Sequence, residues 1–298
     1  MPGRPAMTAF RRAARYQQAR WREASGLPIG TQPIAPKAGG PRPRLVGSRL
    51  PLEFARETGA NFLTPAALAA VEARLAYTEP RQSLDQQRLW ADLLWSHPLT
   101  FNLFGDLAAD PARADRALHK WFPDVPGRVS EVRFVHSPGW FDPAYINSLR
   151  SFDAMFVLDL DAGGRGLVVF DVRYHERAKA EDPRHGNLER YAEVGKRSRA
   201  FARGAIDALN TRNDLVVTWI THLLMFSMLQ TRADGWKWGR YVVVHPKDNV
   251  DMADLTGRYR AKLADDSTFA TITLEALLAS GALPRPATAA LRKRYLLP

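Results

Sequence analysis

The 298-residue sequence contains no cysteine, which closes off disulfides, zinc ribbons and other thiolate metal sites, and a cysteine nucleophile. Apolar runs long enough to cross a bilayer are also lacking. Residues 215–220 and 223–229 are among the longest, and Thr221 and His222 interrupt them. No stretch carries the apolar core of a secretory signal, and no internal repeat suggests a solenoid. A cytoplasmic protein that does not enter a membrane is expected. Acidic residues are scarce in one place: residues 1–49 hold ten Lys and Arg against Glu23 alone, a net charge of +9 within a whole-chain total of +11.

A short basic arm on a near-neutral body can neutralise phosphates and gain affinity by counterion release. The same composition suits a solvated tail or, in its Arg-rich and acid-poor residues 7–22, an organellar transit peptide. Residues 26–51 are rich in Pro and Gly, cannot sustain a helix, and are expected to run extended or disordered. The division that follows is a largely disordered basic arm and linker over residues 1–51 and a single domain over 52–298, a size one core can fill.

Beyond the arm, Thr64 as N-cap and Pro65 at the first helical position open a helix over residues 66–77. A second helical stretch runs over 83–94, with Leu84, Leu89, Trp90 and Leu93 on its apolar face, and Pro98 interrupts it. Asp110 and Pro111 repeat the cap-and-proline device and start a helix reaching Trp121. Residues 129–136 alternate and are β-branched, which predicts a strand. Two more strands, 154–160 and 166–173, flank the Gly-rich connection 161–165 and predict a hairpin. A long basic helix over 188–209, a buried helix over 215–230, a strand at 240–245 and helices at 252–263 and 274–279 complete a mixed α/β pattern.

The hairpin carries the chemistry. Asp153 lies nine residues before position 162 and Asp171 nine after it, so antiparallel pairing about that centre sets the two carboxylates side by side. Cross-strand Cβ atoms lie about 4.5 to 5.5 Å apart, a spacing at which two carboxylates can share a divalent cation. Arg173, two residues beyond Asp171, falls on the same face. Phosphodiester hydrolysis asks for this set: carboxylates for a hard cation that activates water, and a fixed positive charge for the scissile phosphate. Plainer roles also fit, Asp153 as a turn cap and Asp171 with Arg173 at an exposed strand end. Against that, Asp171 directly follows the apolar residues 167–170, where an ionised side chain is costly unless paired or metal-bound.

From these residues outward the chain resembles a group of bacterial restriction-endonuclease-like proteins within the PD-(D/E)XK nuclease superfamily. Residues 101–105 (FNLFG), Ser137-Pro138-Gly139 with Asp142-Pro143, and Phe152-Asp153 resemble its early motifs. Residues 170–176 (FDVRYHE) resemble its strand ending in Glu-Val-Lys-Tyr-x-Glu. Residues 219–224 (WITHLL), Val244-His245-Pro246 with Asn249, Tyr259-Arg260, Thr268-Phe269 and Thr273-Leu274-Glu275 keep its order, so the resemblance covers residues 60–280.

That resemblance implies an α/β fold with a mixed central sheet flanked by helices. It implies Mg²⁺-dependent hydrolysis of DNA, with Mn²⁺ as a substitute, and a homodimer would suit double-strand cutting. Asp153 and Asp171 are then the metal ligands and, with Arg173, the catalytic set. Three positions depart from the pattern: Asp171 stands for Glu, Arg173 for Lys, and His97 for Gln. Arg keeps the charge but cannot give up a proton. An alternative reading is therefore a nuclease-fold protein that binds nucleic acid without cutting. Glu176 could add a carboxylate if the strand bends after Tyr174. Arg190, Lys196 and Arg197 could follow a phosphate backbone, or form a solvated face. His175 and His222 read as packed side chains, and Trp236 with Trp238 as a hydrophobic turn before a strand.

Overall fold

The computed structural model describes residues 8–32, 44–77, 84–231 and 235–297. Two short strands, β1 (Gly30–Thr31) and β2 (Leu45–Val46), pair antiparallel. Five longer strands form the central sheet: β3 (Arg128–His136), β4 (Phe152–Asp159), β5 (Arg165–Val172), β6 (Trp236–His245) and β7 (Phe269–Thr273), side by side in that order. The pairs β3–β4 and β4–β5 are antiparallel, and β5–β6 and β6–β7 are parallel. The β4–β5 register runs from Ala154↔Phe170 to Asp159↔Arg165, the pairing centred on position 162 that the sequence predicts. Gly163 and Gly164 turn the chain there at positive φ, 75° and 95°, where a Cβ would be strained.

Alternation along the strands sorts the core into two faces. Val168, Phe170 and Val172 of β5 join one buried cluster, while Leu167 and Val169 join the other. Helices α1 (Ala9–Ala24), α2 (Leu52–Thr58), α3 (Pro65–Ala76), α4 (Gln86–Ala91), α5 (Ser96–Ala108) and α6 (Pro111–Trp121) cover the first face. The second is covered by α7 (Leu188–Ser198), α8 (Ala205–Leu209), α9 (Val216–Gln230) and α10 (Val250–Arg260). Helices α11 (Leu274–Ala279) and α12 (Arg285–Tyr295) return to the first face. With both faces covered, the inner strands read as continuous apolar runs. Among the described residues no helix is long and apolar enough to cross a membrane.

Several expectations need correction. Within the arm predicted to be disordered, residues 9–24 form α1, whose Phe10, Ala14, Gln18 and Trp21 are buried. Phe10 and Trp21 lie in the same cluster as Phe104 and Phe170, so packing does not change character at residue 51. Apolar side chains at i, i+4 and i+11 outweigh the basic composition, most of which stays on the outer positions while Arg22 is buried beside Trp21. Residues 1–7 and 33–43 lie outside the described residues. Pro98 does not interrupt a helix: it sits in the first turn of α5, where its missing N–H has no intrahelical partner to lose. The predicted helix 188–209 breaks into α7 and α8 because Arg199 and Gly204 adopt left-handed backbone, φ 57° and 73°. The intervening segment bonds elsewhere, Ala202 N–H to the Lys262 carbonyl and Ala264 N–H to the Ala200 carbonyl. Trp236 and Trp238 belong to β6 itself.

A buried polar network ties the two ends of the chain together. Arg294 of α12 is fully buried. Its Nε donates to Gln18 Oε1 at 3.1 Å, Nη1 to the Asn61 carbonyl at 2.7 Å and Nη2 to Asn61 Oδ1 at 2.5 Å. The guanidinium lies over Trp21 and Tyr295, 4.3 and 4.6 Å from the ring centroids. Gln18 Nε2 in turn donates to the Tyr174 hydroxyl at 3.2 Å, three residues past Asp171.

This packing can be tested by mutation and by pH. Trp21→Ala should destabilise the protein by about 3 to 5 kcal/mol in urea unfolding, the cost of truncating a buried aromatic; an unchanged midpoint would mean that α1 is dispensable. Burial pushes His97, His136 and His175 down to about 4 and His222 to about 3. These depressed values favour the fold above the unfolded histidine pKa of about 6.5, and that contribution is lost as pH falls below it. Melting temperature should therefore drop steeply from pH 6.5 toward 4, the unfolded chain binding up to four protons that the fold refuses.

Candidate active site

One step beyond the Ala154↔Phe170 pair, the β4–β5 register sets Asp153 opposite Asp171. Strand alternation gives Asp171 the face of Leu167 and Val169, toward α9 and α10. The backbone N–H of Val172 donates to Asp153 Oδ2 at 2.7 Å. Arg173 Nη2 donates to Asp171 Oδ2 at 2.6 Å, and the Tyr241 hydroxyl, reaching across from β6, donates to the same oxygen at 2.8 Å. The three residues predicted as the site thus meet, and Tyr241 joins them.

The electrostatics follow from burial of two like charges. Burial pushes the Asp153 carboxyl well above the usual carboxylate range, and the Asp171 charge adds to it, with Arg173 opposing. Burial works against the Arg173 guanidinium, but Asp171, Tyr241 and Asp153 together more than offset it and hold the side chain charged. The Tyr241 hydroxyl is pushed up by burial and by Asp171, so it stays a donor. His97 of α5 places Nε2 3.7 Å from Asp153 Oδ1. Burial first, then Arg88 and Arg173, lower its pKa to about 4, so the imidazole is neutral and makes no ion pair. Its ring lies against Trp95, centroids 4.1 Å apart, and its Nδ1 is buried with no hydrogen-bond partner.

The donor set fits a hard divalent cation. The buried Asp171 and the partly buried Asp153 face each other, and Oδ1 of each accepts no hydrogen bond among the described residues, which leaves one oxygen per acid for a ligand. Among the described residues no group of three or more His, Asp or Glu side chains could enclose a metal ion. Two carboxylates suit a hard divalent cation that keeps several of its waters, not one enclosed in a full protein cage.

The remaining candidates fall elsewhere. Glu176 accepts the His175 N–H at 2.9 Å and adds to the field on Asp153, without completing a three-carboxylate cluster. His175 is buried with Nε2 against the Arg11 carbonyl at 3.3 Å, while Arg11 Nε donates to the His175 carbonyl at 3.1 Å. His222 is a satisfied core histidine, bonded to the Tyr259 hydroxyl and Thr268 Oγ1. On α7, Arg190 spends its donors on the Tyr145 and Ala144 carbonyls and Glu193, and Arg197 also meets Glu193. Neither they nor Lys196 line the large groove beside Arg173. Sequence reasoning missed Tyr241; the signal available was a hydroxyl-bearing aromatic directly before the valine run 242–244 and two positions before Val243, which pairs with Asp171.

No curated protein and no solved structure matches the chain. The family model of the PD-(D/E)XK nuclease superfamily matches residues 5–297, a span that includes α1, the whole sheet and the paired acids. With a mixed sheet flanked by helices and an acid pair closing the β4–β5 hairpin, the chain belongs to the PD-(D/E)XK nuclease superfamily.

Proposed function

We propose that this protein is a Mg²⁺-dependent endonuclease that hydrolyses DNA phosphodiester bonds. The observation that carries the reading is the juxtaposition of Asp153 and Asp171 across β4 and β5 with the Arg173 guanidinium 2.6 Å from Asp171. Asp153 and Asp171 would hold the cation through their free oxygens. A bound Mg²⁺ or Mn²⁺ supplies Lewis-acid polarisation of the phosphate and a more acidic water.

The chain's own groups do the positioning. The Asp171 side chain is only 6% exposed and that of Arg173 is 25% exposed, so the guanidinium has the outer place, where a phosphate oxygen would meet it. Tyr241 fixes the Asp171 carboxylate through its hydroxyl, and the Val172 N–H fixes Asp153. Arg173 holds its proton throughout and acts as a fixed charge, not a base.

One observation favours the second reading, binding without cleavage. The Arg173–Asp171 contact of 2.6 Å already neutralises one of the two acids, and a guanidinium is a broader fork than the ammonium that the resembled motif carries.

Supercoiled plasmid at low salt with Mg²⁺ or Mn²⁺ tests the proposal. The native protein should nick or linearise it, and Asp153→Ala should reduce the rate at least about 100-fold, the scale of losing a group that stabilises the transition state. A native protein that leaves plasmid intact, with Arg173→Lys cleaving, would replace the proposal with the binding reading. Tyr241→Phe removes only the orienting hydroxyl. It should weaken Mn²⁺ binding, read by calorimetry, about 10- to 100-fold, as loss of outer hydrogen-bond partners does elsewhere; unchanged affinity would mean that Tyr241 is merely packed there.

A further inference from the structure

The groove beside Arg173 has a volume of about 1310 Å³, and nine Lys and Arg side chains line it against five carboxylates. Three of those carboxylates already meet arginines: Asp92 with Arg49 and Arg88, Glu181 with Arg150, and Asp214 with Arg258. Arg11 and Arg15 of α1 form no ion pair with a carboxylate among the described residues, Arg11 Nε donating only to the His175 carbonyl. The Arg11 pKa is lowered by burial and then by the like charges of Arg177 and Arg15. Nε of Arg15 is buried with no hydrogen-bond partner, and so is Nε of Arg49 across the groove, whose Nη1 keeps its bond to Asp92. Crowded cations with unmet donors gain from an anion, and a row of them along a groove matches a row of phosphates.

The face that α1 turns to this groove explains which form of nucleic acid fits. Arg11 and Arg15, and Arg12 and Tyr16, are each four residues apart and share that face. Tyr16 is 67% exposed, and Arg20 lies 5.8 Å from its ring centroid. Most of this large ring stands in water, with a guanidinium on its face. In a duplex the base faces are stacked on one another, whereas an unpaired strand offers them to an aromatic side chain.

We propose that α1 makes this groove a track for a single unpaired nucleic-acid strand, with Tyr16 stacking on a base while Arg15 and Arg49 hold the phosphates that lead to Arg173. The assignment rests on the reading of Asp153, Asp171 and Arg173 as a phosphodiester site, and it narrows the substrate of that site to unpaired DNA such as an end, a flap or a melted stretch.

Binding in EDTA separates the track from the chemistry. Fluorescence anisotropy of the full chain with a labelled oligothymidylate should show tighter binding than with a blunt duplex of equal length. Tyr16→Ala should weaken the single-strand complex about 5- to 100-fold, the range for losing one base–aromatic stack, and Tyr16→Trp should retain it. Arg15→Gln with Arg49→Gln should flatten the log–log salt dependence by about 0.7 for each phosphate no longer neutralised. A duplex bound as tightly as the oligothymidylate, or a Tyr16→Ala variant with native affinity, overturns the proposal. If Tyr16-dependent binding is present and plasmid stays intact, the nuclease reading fails and the track stands. Plasmid cleavage with binding indifferent to Tyr16 means the reverse: the nuclease reading stands and the track fails.

Discussion

A guanidinium with no exposed surface and no carboxylate partner among the described residues is costly to keep, and Arg294 is kept by neutral acceptors: Gln18, the Asn61 carbonyl and the Asn61 amide oxygen. These acceptors come from distant parts of the chain, so the charge is satisfied only when α1, the segment at Asn61 and α12 are assembled together. Trp21 and Tyr295 close over its faces. Asn61 and Gln18 then pass the constraint on. Asn102 Nδ2 donates to the Asn61 carbonyl and to the Tyr295 hydroxyl, and Gln18 donates to the Tyr174 hydroxyl. Tyr174 N–H is held by Ser96 Oγ, which anchors the chain just after β5 to the start of α5. The position of Arg173 and the entry of α1 into the groove both depend on this chain of bonds.

The acid pair sits at the other end of the same logic. Two carboxylates in a buried place repel, and the protein meets that repulsion with groups of different kinds: Arg173 and the Tyr241 hydroxyl on Asp171, the Val172 N–H on Asp153. Asp153 has the weaker support, and its carboxyl is pushed well up by burial and by Asp171. A divalent cation between the free oxygens would remove the conflict that the fold leaves unresolved. His97, neutral and partly unpartnered beside Asp153, is one of three positions at which this chain departs from the pattern it resembles.

Local signals were legible where they are local by nature. Thr64 and Asp110 cap the helices they precede, each with a proline at the first helical position. The hairpin register could be read from two aspartates equidistant from a Gly-rich turn, because pairing across a short connection leaves few choices. The order of β6 and β7 in the sheet could not be read in this way, because parallel neighbours are joined by crossovers and no residue pattern names the partner. Strand β7 went unread as a strand: only Phe269 of its five residues is fully buried, so it has no continuous apolar run. The break between α7 and α8 was hidden as well, since Arg199 takes a left-handed backbone that its side chain does not advertise.

By itself the sequence determined a mixed α/β chain without disulfides, a hairpin that pairs Asp153 with Asp171, and an excess of positive charge near the N-terminus. These follow from residue type, period and short-range spacing, which act before distant parts of the chain meet. Only the tertiary structure decided that residues 9–24 of the basic arm form a packed helix, that Tyr241 completes the hydrogen bonds of Asp171, and that Arg190 and Arg197 are spent on neighbouring carbonyls and Glu193. Most of those outcomes require contacts across tens to hundreds of residues, as between Gln18 and Arg294. Composition reports how much charge or apolar surface a segment carries, and only packing decides which of it is left facing water.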